Sequence, residues 1–244
     1  MIEIQHLSKS FGHPVLRDVT LSVPAGCLYG LIGPGASGKS LLLRMVTGLM
    51  RPDTGSVTVE GQDVLAMTEL ELASFRLKFG MLFQNNALFD FMTVAQNVAF
   101  PLERMFELTP DEIRDRVDER LAAVSLSGFG ERAPVGLSGG QKKRVGVARA
   151  TVTRAPIIFY DEPAAGLDPV TSQKIFDLLR AEQQHAKTTV IMVSSDIERL
   201  LTVTDRVGMM YRGALVFDGT TDEALTSEDR YVKQFVHGLM DGPL

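Results

Sequence analysis

Residues 33–40 read Gly-Pro-Gly-Ala-Ser-Gly-Lys-Ser, which is the spacing of a phosphate-binding loop between a strand and a helix. The glycines let backbone N–H groups turn inward around phosphate oxygens, and the start of the following helix adds a favourable dipole. We expect Lys39 to reach the β- and γ-phosphates of a nucleotide and the Ser40 hydroxyl to ligate Mg²⁺. A structural turn is the alternative, but every fixed position matches. The predicted nucleotide-binding residues are Gly33, Pro34, Gly35, Ala36, Ser37, Gly38, Lys39 and Ser40.

Two carboxylates follow a second buried strand, predicted at Ile157–Tyr160. Ligands of open α/β sheets bind at the carboxyl ends of the strands, which is where Asp161 and Glu162 lie. Asp161 is expected to hold Mg²⁺ through water, and Glu162 to polarise the attacking water. Alone, two such acids could form a solvated loop, but the upstream phosphate loop favours catalysis.

The pentapeptide at residues 137–141 offers a second phosphate-binding device. Its residues Ser138, Gly139, Gly140 and Gln141 combine exposed glycine N–H groups with a hydroxyl at a helix N-terminus. Leu-Ser-Gly-Gly-Gln is the signature motif of ABC ATPases, and the chain resembles that family over nearly its whole length. The resemblance implies ATP and Mg²⁺ as cofactors and a head-to-tail pair of subunits, which is expected to be a homodimer.

Further positions carry roles that the resemblance implies. Phe11 matches the aromatic residue that stacks on adenine, although ordinary packing would also explain it. Gln84 matches the glutamine that senses Mg²⁺ and the attacking water and links to a helical insert. Leu137 and Asp168 match residues of the dimer interface.

One position departs from the family. Where its members usually read Ser-His-Asp, this chain reads Ser194-Ser195-Asp196, so a serine stands at the position of the switch histidine. A hydroxyl reproduces neither the reach nor the proton affinity of an imidazole. Losing one positioned donor costs roughly 10²–10³ in rate. Because Glu162 and Lys39 remain, we expect Ser195 to act in a slow but active ATPase.

Alternating apolar runs and helical patterns predict an α/β fold of the P-loop NTPase type, with a mostly parallel sheet. Buried strands are expected at residues 27–32, 157–160 and 189–193, and helices at residues 39–49 and from Pro169. The alternation of residues 56–60 indicates an N-terminal antiparallel subdomain. We expect one domain, 1–244, with a catalytic core at about 1–84 and 154–244. Residues 85–153 form the helical signature insert, which contains a capping box at Thr109–Glu112.

Composition limits the remaining classes of function. A net charge of −5 gives no support to nucleic-acid binding, and the four histidines lack metal-ligand spacing. The lone Cys27 excludes an internal disulfide and is expected to be a buried, inert thiol. No run approaches the roughly 18 apolar residues of a membrane span, and the first residues do not read as a signal peptide. We therefore expect a cytoplasmic chain, peripheral on the inner membrane through a separate integral membrane permease.

Two segments point to a subfamily. Residues 86–94 with 97–102, and residues 232–238 with 241–243, resemble the ATPases of MCE-type (Mla-like) lipid transport systems. That resemblance implies a phospholipid-like substrate, an MCE-domain lipid-binding protein and a small STAS-type subunit. Many importer ATPases carry a segment similar to the first. Phe89, Phe91 and Met92 are expected either to contact the permease or to pack inside the insert.

Two other classes of protein remain as alternative interpretations of the sequence. ABC ATPases of DNA repair or translation usually carry long coiled-coil insertions, zinc modules or tandem cassettes, which this sequence lacks. A nucleotide-binding regulatory subunit, paired with an active partner, would explain Ser195. The intact Glu162 and pentapeptide argue against it.

Overall fold

The computed structural model describes residues 1–84 and 86–244. Its strands are β1 (Ile2–Ser10), β2 (Pro14–Val23), β3 (Leu28–Ile32), β4 (Thr54–Val59), β5 (Gln62–Asp63), β6 (Phe79–Leu82), β7 (Ile157–Asp161), β8 (Thr189–Val193), β9 (Arg206–Tyr211) and β10 (Ala214–Thr220). Its helices are α1 (Lys39–Val46), α2 (Glu69–Arg76), α3 (Val94–Met105), α4 (Pro110–Ala123), α5 (Gly139–Thr151), α6 (Pro169–Ala186), α7 (Ile197–Val203), α8 (Thr221–Leu225) and α9 (Arg230–His237). A 3₁₀ turn covers Pro134–Gly136.

A six-stranded sheet in the order β10-β9-β3-β8-β7-β6 forms the centre of the molecule. All its neighbouring strands run parallel except the edge pair β9 and β10, which is antiparallel. Every residue of β3 and β8 is buried, which is typical of a parallel sheet covered on both faces. The mostly parallel sheet predicted from the sequence is therefore confirmed.

A second, antiparallel sheet has the order β2-β1-β4-β5. Strand β1 pairs with β2 on one side and with β4 on the other, so the N-terminal segment lies inside this sheet. Its apolar residues alternate, with Ile2 and Ile4 buried and Glu3 between them. The antiparallel subdomain expected around residues 56–60 is confirmed.

The two faces of the parallel sheet belong to two different cores. In β7, Ile158 and Tyr160 pack in a cluster with the helices of the insert. The alternate residues Ile157 and Phe159 pack with α1 and the antiparallel sheet. The helical region thus shares its core with the central sheet. The domain boundaries stay predictions, and Asn85, where the helical region was expected to begin, lies outside the described residues.

Most element boundaries agree with their sequence signals. Helix α6 starts at Pro169 with Asp168 as its N-cap, and Thr109 and Glu112 form the expected capping box of α4. Helix α1 ends at Val46 rather than Leu49. Gly48, with φ 67°, turns the chain there, and a Cβ on it would lie 2.6 Å from Leu72 Cδ2. Among the described residues, no helix combines the length and apolarity needed to cross a bilayer.

A buried asparagine organises the loop that precedes α3. Asn97 is 0% exposed, and its side chain accepts a hydrogen bond from Phe89 N at 2.8 Å. Its amide donates to the carbonyls of Phe89, Met92 and Thr93 at 3.0, 3.3 and 3.0 Å. One side chain therefore bonds four backbone groups of the segment 89–93.

Replacing Asn97 with leucine, which has a similar size, removes the side-chain partner of Phe89 N and Met92 O, while Phe89 O and Thr93 O keep the backbone donors Met92 N and Asn97 N. We expect Asn97→Leu to lower the free energy of unfolding by about 2–3 kcal/mol. Urea denaturation followed by circular dichroism measures this change. The matched control is Glu103→Gln at an exposed position of the same helix. Equal stability of the two variants would contradict the assigned role of Asn97.

Candidate functional site

The loop at residues 33–40 joins β3 to α1 at the carboxyl end of the parallel sheet. Gly33, Ala36 and Gly38 have φ values of 137°, 58° and 102°. A Cβ on Gly33 would lie 2.0 Å from the Met210 carbonyl oxygen, so only glycine fits there. A Cβ on Gly35 would meet open space. The loop is thus packed at its base and open above, as a phosphate cradle requires.

The two ends of this loop are built for an anion. Gly38 caps α1 without a side-chain hydrogen bond, so the first N–H groups of the helix stay available for a ligand. Lys39 Nζ donates to Gly33 O, Pro34 O and Ser37 Oγ at 2.7, 2.9 and 3.2 Å. Burial lowers the pKa of Lys39, although Glu162 and Asp161 favour its charged form. This ammonium has only neutral direct acceptors, which phosphate oxygens can replace with a gain in Coulomb energy.

Asp161 ends β7 and lies close to Ser40. Burial raises its pKa most, and neighbouring Glu162 adds to the rise, whereas a hydrogen bond from Ser40 and the cations Arg44 and Lys39 lower it. Two adjacent carboxylates and a hydroxyl are hard oxygen ligands of the kind that Mg²⁺ takes alongside phosphate oxygens and water. Among residues 1–84 and 86–244, no cluster of three or more His, Cys, Asp or Glu residues could hold a metal alone. The donor set therefore fits Mg²⁺ brought with a nucleotide.

Glu162 follows Asp161 in the left-handed region, with φ 51°. Its N–H donates to Val193 O at 2.9 Å, and its carboxylate accepts a hydrogen bond from Ser195 Oγ at 3.0 Å. A cavity of about 250 Å³ lies beside both side chains and is also lined by Leu167 and Ser172. The structure thus joins Ser195 directly to Glu162, a contact that the sequence did not predict.

Gln84 enters the site through its backbone. Its side chain is exposed, while its carbonyl oxygen accepts a hydrogen bond from Lys143 Nζ at 2.6 Å. The same ammonium donates to Glu162 O at 3.1 Å. Sequence reasoning missed Lys143. The available signal was a lysine two residues after the pentapeptide. It lies in a helix in which the nearby residues Val145 and Val147 are buried.

The pentapeptide caps α5. Ser138 N donates to Gln141 Oε1 at 2.9 Å, and Gln141 N donates to Ser138 Oγ at 3.3 Å, which completes a capping box. Ser138 and Gly139 are exposed, whereas Leu137 is 7% exposed and packs in its own chain's core. Among the described residues, no hydrogen bond joins residues 138–141 to the phosphate loop.

Asp168 lies next to this motif. Its carboxylate accepts hydrogen bonds from Val170 N and Thr171 N, both at 3.0 Å, and hydrogen bonding from Thr171 lowers its pKa. A Cβ on Gly140 would lie 2.8 Å from Thr171 Cγ2, so the motif packs closely on the first turn of α6. The structure therefore brings Asp168 and the pentapeptide to one surface.

Phe11 occupies the turn between β1 and β2 and is 52% exposed. Lys9 Nζ lies 5.5 Å from the centre of its ring. A Cβ on Gly38 would approach Leu16 Cδ2 to 2.5 Å, so β2 runs against the phosphate loop. The exposed ring therefore belongs to a turn beside the loop, as a residue that stacks on a base would.

Comparisons with known proteins agree with this geometry. The family model described as ABC transporter matches residues 16–165. The "Probable ribonucleotide transport ATP-binding protein mkl" of Mycobacterium tuberculosis is 41% identical over 244 residues, covering 100% of this chain and 68% of the relative. The "Methionine import ATP-binding protein MetN" of Caulobacter vibrioides is 39% identical over 226 residues, covering 91% of this chain and 68% of the relative.

A plant relative and a solved structure extend these matches. The Arabidopsis thaliana protein TRIGALACTOSYLDIACYLGLYCEROL 3, chloroplastic, is 35% identical over 261 residues, covering 100% of this chain and 75% of the relative. A dimeric ATP-binding cassette in a post-hydrolysis state, bound to ADP and Pi, has a TM-score of 0.83 at 29% identity. That match covers 91% of this chain and 99% of the cassette. With its phosphate loop, acidic pair and signature pentapeptide, the chain belongs to the ABC transporter family as an ATP-binding subunit.

Proposed function

We propose that this chain hydrolyses ATP to drive an ABC transporter that moves a lipid or a related hydrophobic molecule. The observation that carries the hydrolytic part is the convergence of Lys39, Ser40, Asp161 and Glu162 at the carboxyl end of the parallel sheet. This edge is where open α/β sheets bind their ligands.

Each residue has a defined task in this mechanism. The glycine N–H groups of residues 33–38 and Lys39 hold the β- and γ-phosphates, and Phe11 stacks on the adenine. Ser40 and Asp161 would hold Mg²⁺, which would supply positive charge against the negative phosphate oxygens. Glu162 orients and polarises the attacking water. Gln84 lies at the side of this site that faces the helical region.

The complete site needs a second subunit. Ser138 and Gly139 are exposed and, within the described part of the chain, make no hydrogen bond to their own phosphate loop, so they can cap a nucleotide bound to another copy. The family's solved dimeric cassette supports this arrangement. We therefore infer a head-to-tail homodimer with Asp168 at the interface, which separates after hydrolysis.

Glu162→Gln tests the hydrolytic mechanism, because an amide cannot act as a base while it keeps the shape of the carboxylate. We expect kcat for ATP to fall by about 10²–10⁴ and ATP to stabilise a dimer. Phosphate release measures the rate, and size-exclusion chromatography with ATP detects the dimer. Glu228→Gln, at a side chain that is 86% exposed, is the matched control. Turnover at the wild-type rate would refute Glu162 as the base.

Ser195 makes the ATPase slow in this proposal. Its hydroxyl reaches Glu162 Oε2 but carries no charge with which to meet a γ-phosphate. The cavity of about 250 Å³ beside it leaves room for a larger side chain. A regulatory subunit without turnover is the alternative, and ATP binding without hydrolysis in the co-purified transporter would favour it.

Ser195→His tests this account directly. An imidazole adds a donor that can carry charge, so we expect kcat to rise, at most by about 10²–10³. The control is Ser195→Ala, which removes the hydrogen bond to Glu162 without adding a donor. A rate for Ser195→His at or below that of Ser195→Ala would show that the serine is not the limiting feature.

Coupling to a permease is assigned to an apolar groove. A cavity of about 380 Å³ lies between the central sheet and the helical region, and its lining includes Phe79, Phe83, Phe89, Phe100 and Met105. The rings of Phe89 and Phe100 are 4.9 Å apart, and nearby Phe91 is 82% exposed. A helix of a permease can bury these rings, which supports a location at the cytoplasmic face of the membrane.

A lipid is favoured as the substrate by residues 86–94 with 97–102 and residues 232–238 with 241–243, which resemble the ATPases of MCE-type lipid transport systems. The name of the Arabidopsis relative contains that of a galactolipid. Two other relatives are named for ribonucleotide transport and methionine import, so an importer of small solutes is the competing assignment. A lipid system would add an MCE-domain protein and a STAS-type subunit to the permease.

The substrate is tested on the transporter purified with its own permease in phospholipid nanodiscs. We expect its ATPase rate to rise severalfold with phospholipid content and to stay constant when methionine or ribonucleotides are added. The Glu162→Gln complex gives the background rate. Stimulation by methionine or by a ribonucleotide, without a response to phospholipid, would overturn the lipid assignment.

A further inference from the structure

The side chain of Lys143 is the buried cation for which the mechanism above has no task. It is 4% exposed and lies on α5, the helix that begins with the signature pentapeptide. Among the described residues it forms no salt bridge. Instead, its ammonium donates to the backbone carbonyls of Gln84 at 2.6 Å and of Glu162 at 3.1 Å. Burial lowers its pKa, while Glu162 and Asp161 favour its charged form.

Close packing of α5 on the sheet makes these contacts possible. Gly80 in β6 lies against the Ala150 carbonyl, where an added Cβ would come within 2.0 Å. Gly146 faces Leu82, whose Cδ1 would lie 2.5 Å from an added Cβ. Lys143 lies three residues before Gly146, on the same side of the helix. Two glycines therefore bring the lysine within reach of the loop that follows β6.

The two carbonyls that Lys143 binds belong to segments with constrained backbones. Glu162 has φ 51°, and Asn86 and Ala87 have φ values of 60° and 49°. Non-glycine residues adopt this region only when their surroundings hold them there. Arg149, two turns along α5, donates to the carbonyls of Asn86 and, at 2.8 Å, of Ala87. The Gln84 loop is therefore attached to α5 at two points, and the Glu162 backbone through Lys143.

We propose that Lys143 is a positioning residue for ATP hydrolysis, which holds the backbones of Gln84 and Glu162 in register with the signature helix. This inference rests on the proposed role of Glu162. In this proposal Lys143 affects the rate of the chemical step although it does not contact the nucleotide. If a second subunit or a permease displaced α5, the Lys143 ammonium would transmit that movement to the carbonyls of both Gln84 and Glu162.

The test uses the full chain with three substitutions. Lys143→Met keeps the length of the side chain and removes its donors, and Lys143→Arg keeps charge and donors. Lys174→Met is the matched control at an exposed position of α6. We expect Lys143→Met to lower kcat by about 10- to 100-fold with KM for ATP within threefold of wild type. Lys143→Arg should recover most of the rate, and Lys174→Met should behave as wild type.

A readout independent of activity keeps the proposal testable if Lys143→Met is unstable. Hydrogen exchange of peptides containing Gln84 and Glu162 should accelerate in Lys143→Met. Peptides from β3 and β8 should keep the wild-type rate. Equal loss of kcat, ATP affinity and protection throughout the chain would show a purely structural role and overturn the proposal. Wild-type kcat together with wild-type exchange in Lys143→Met would also overturn it.

These outcomes separate the two proposals. If the wild-type chain binds ATP without turnover even with its permease, the proposed hydrolysis fails. Exchange at Gln84 and Glu162 then decides the role of Lys143 as a backbone link. If the wild type hydrolyses ATP and Lys143→Met matches it in rate and exchange, only the positioning role fails.

Discussion

Burial of the parallel sheet on both faces is the constraint on which the rest of the structure depends. Strands β3 and β8 expose no residue to solvent, and neither carries a charged side chain along its length. The polar groups are placed where the strands end, and parallel strands end at one edge. The phosphate loop after β3, the acidic pair after β7 and Ser195 after β8 meet there for this reason. The location of the nucleotide-binding and acidic residues at that edge therefore follows from the burial of the strands on both faces of the sheet.

The charges at this edge are arranged around a ligand. The Lys39 ammonium contacts neutral oxygens of its own loop, while burial and then the adjacent Glu162 carboxylate raise the pKa of Asp161. Among the described residues, no salt bridge joins Lys39, Asp161 or Glu162 directly to a group of opposite charge. A nucleotide with Mg²⁺ supplies negative oxygens to the lysine and a divalent cation to the aspartate. The charge neutralisation of the site by the nucleotide and Mg²⁺ is thus the same effect that gives the site its affinity for them.

Much of this arrangement could be predicted from the sequence, because it depends on local signals. The phosphate loop needs glycines at fixed positions, and Asp168 and Ser138 reveal the start of a helix through capping. The strand at residues 189–193 was found with its observed bounds because five buried residues precede a polar segment. The end of α1 was placed too late, since Gly48 also contacts Leu72 on another helix. The links from Ser195 and Lys143 to Glu162 join residues 33 and 19 positions apart, which no local pattern reveals.

These two links act on different parts of Glu162. Ser195 binds its carboxylate, the group proposed to polarise the attacking water, whereas Lys143 binds its carbonyl and so acts on the backbone that carries it. Because Glu162 has a left-handed φ, rotation of its backbone would move the carboxylate away from the phosphate loop. The serine comes from the central sheet and the lysine from the signature helix. The position of the Glu162 carboxylate therefore depends on how the helical region packs against the sheet. A second subunit or a permease can change that packing.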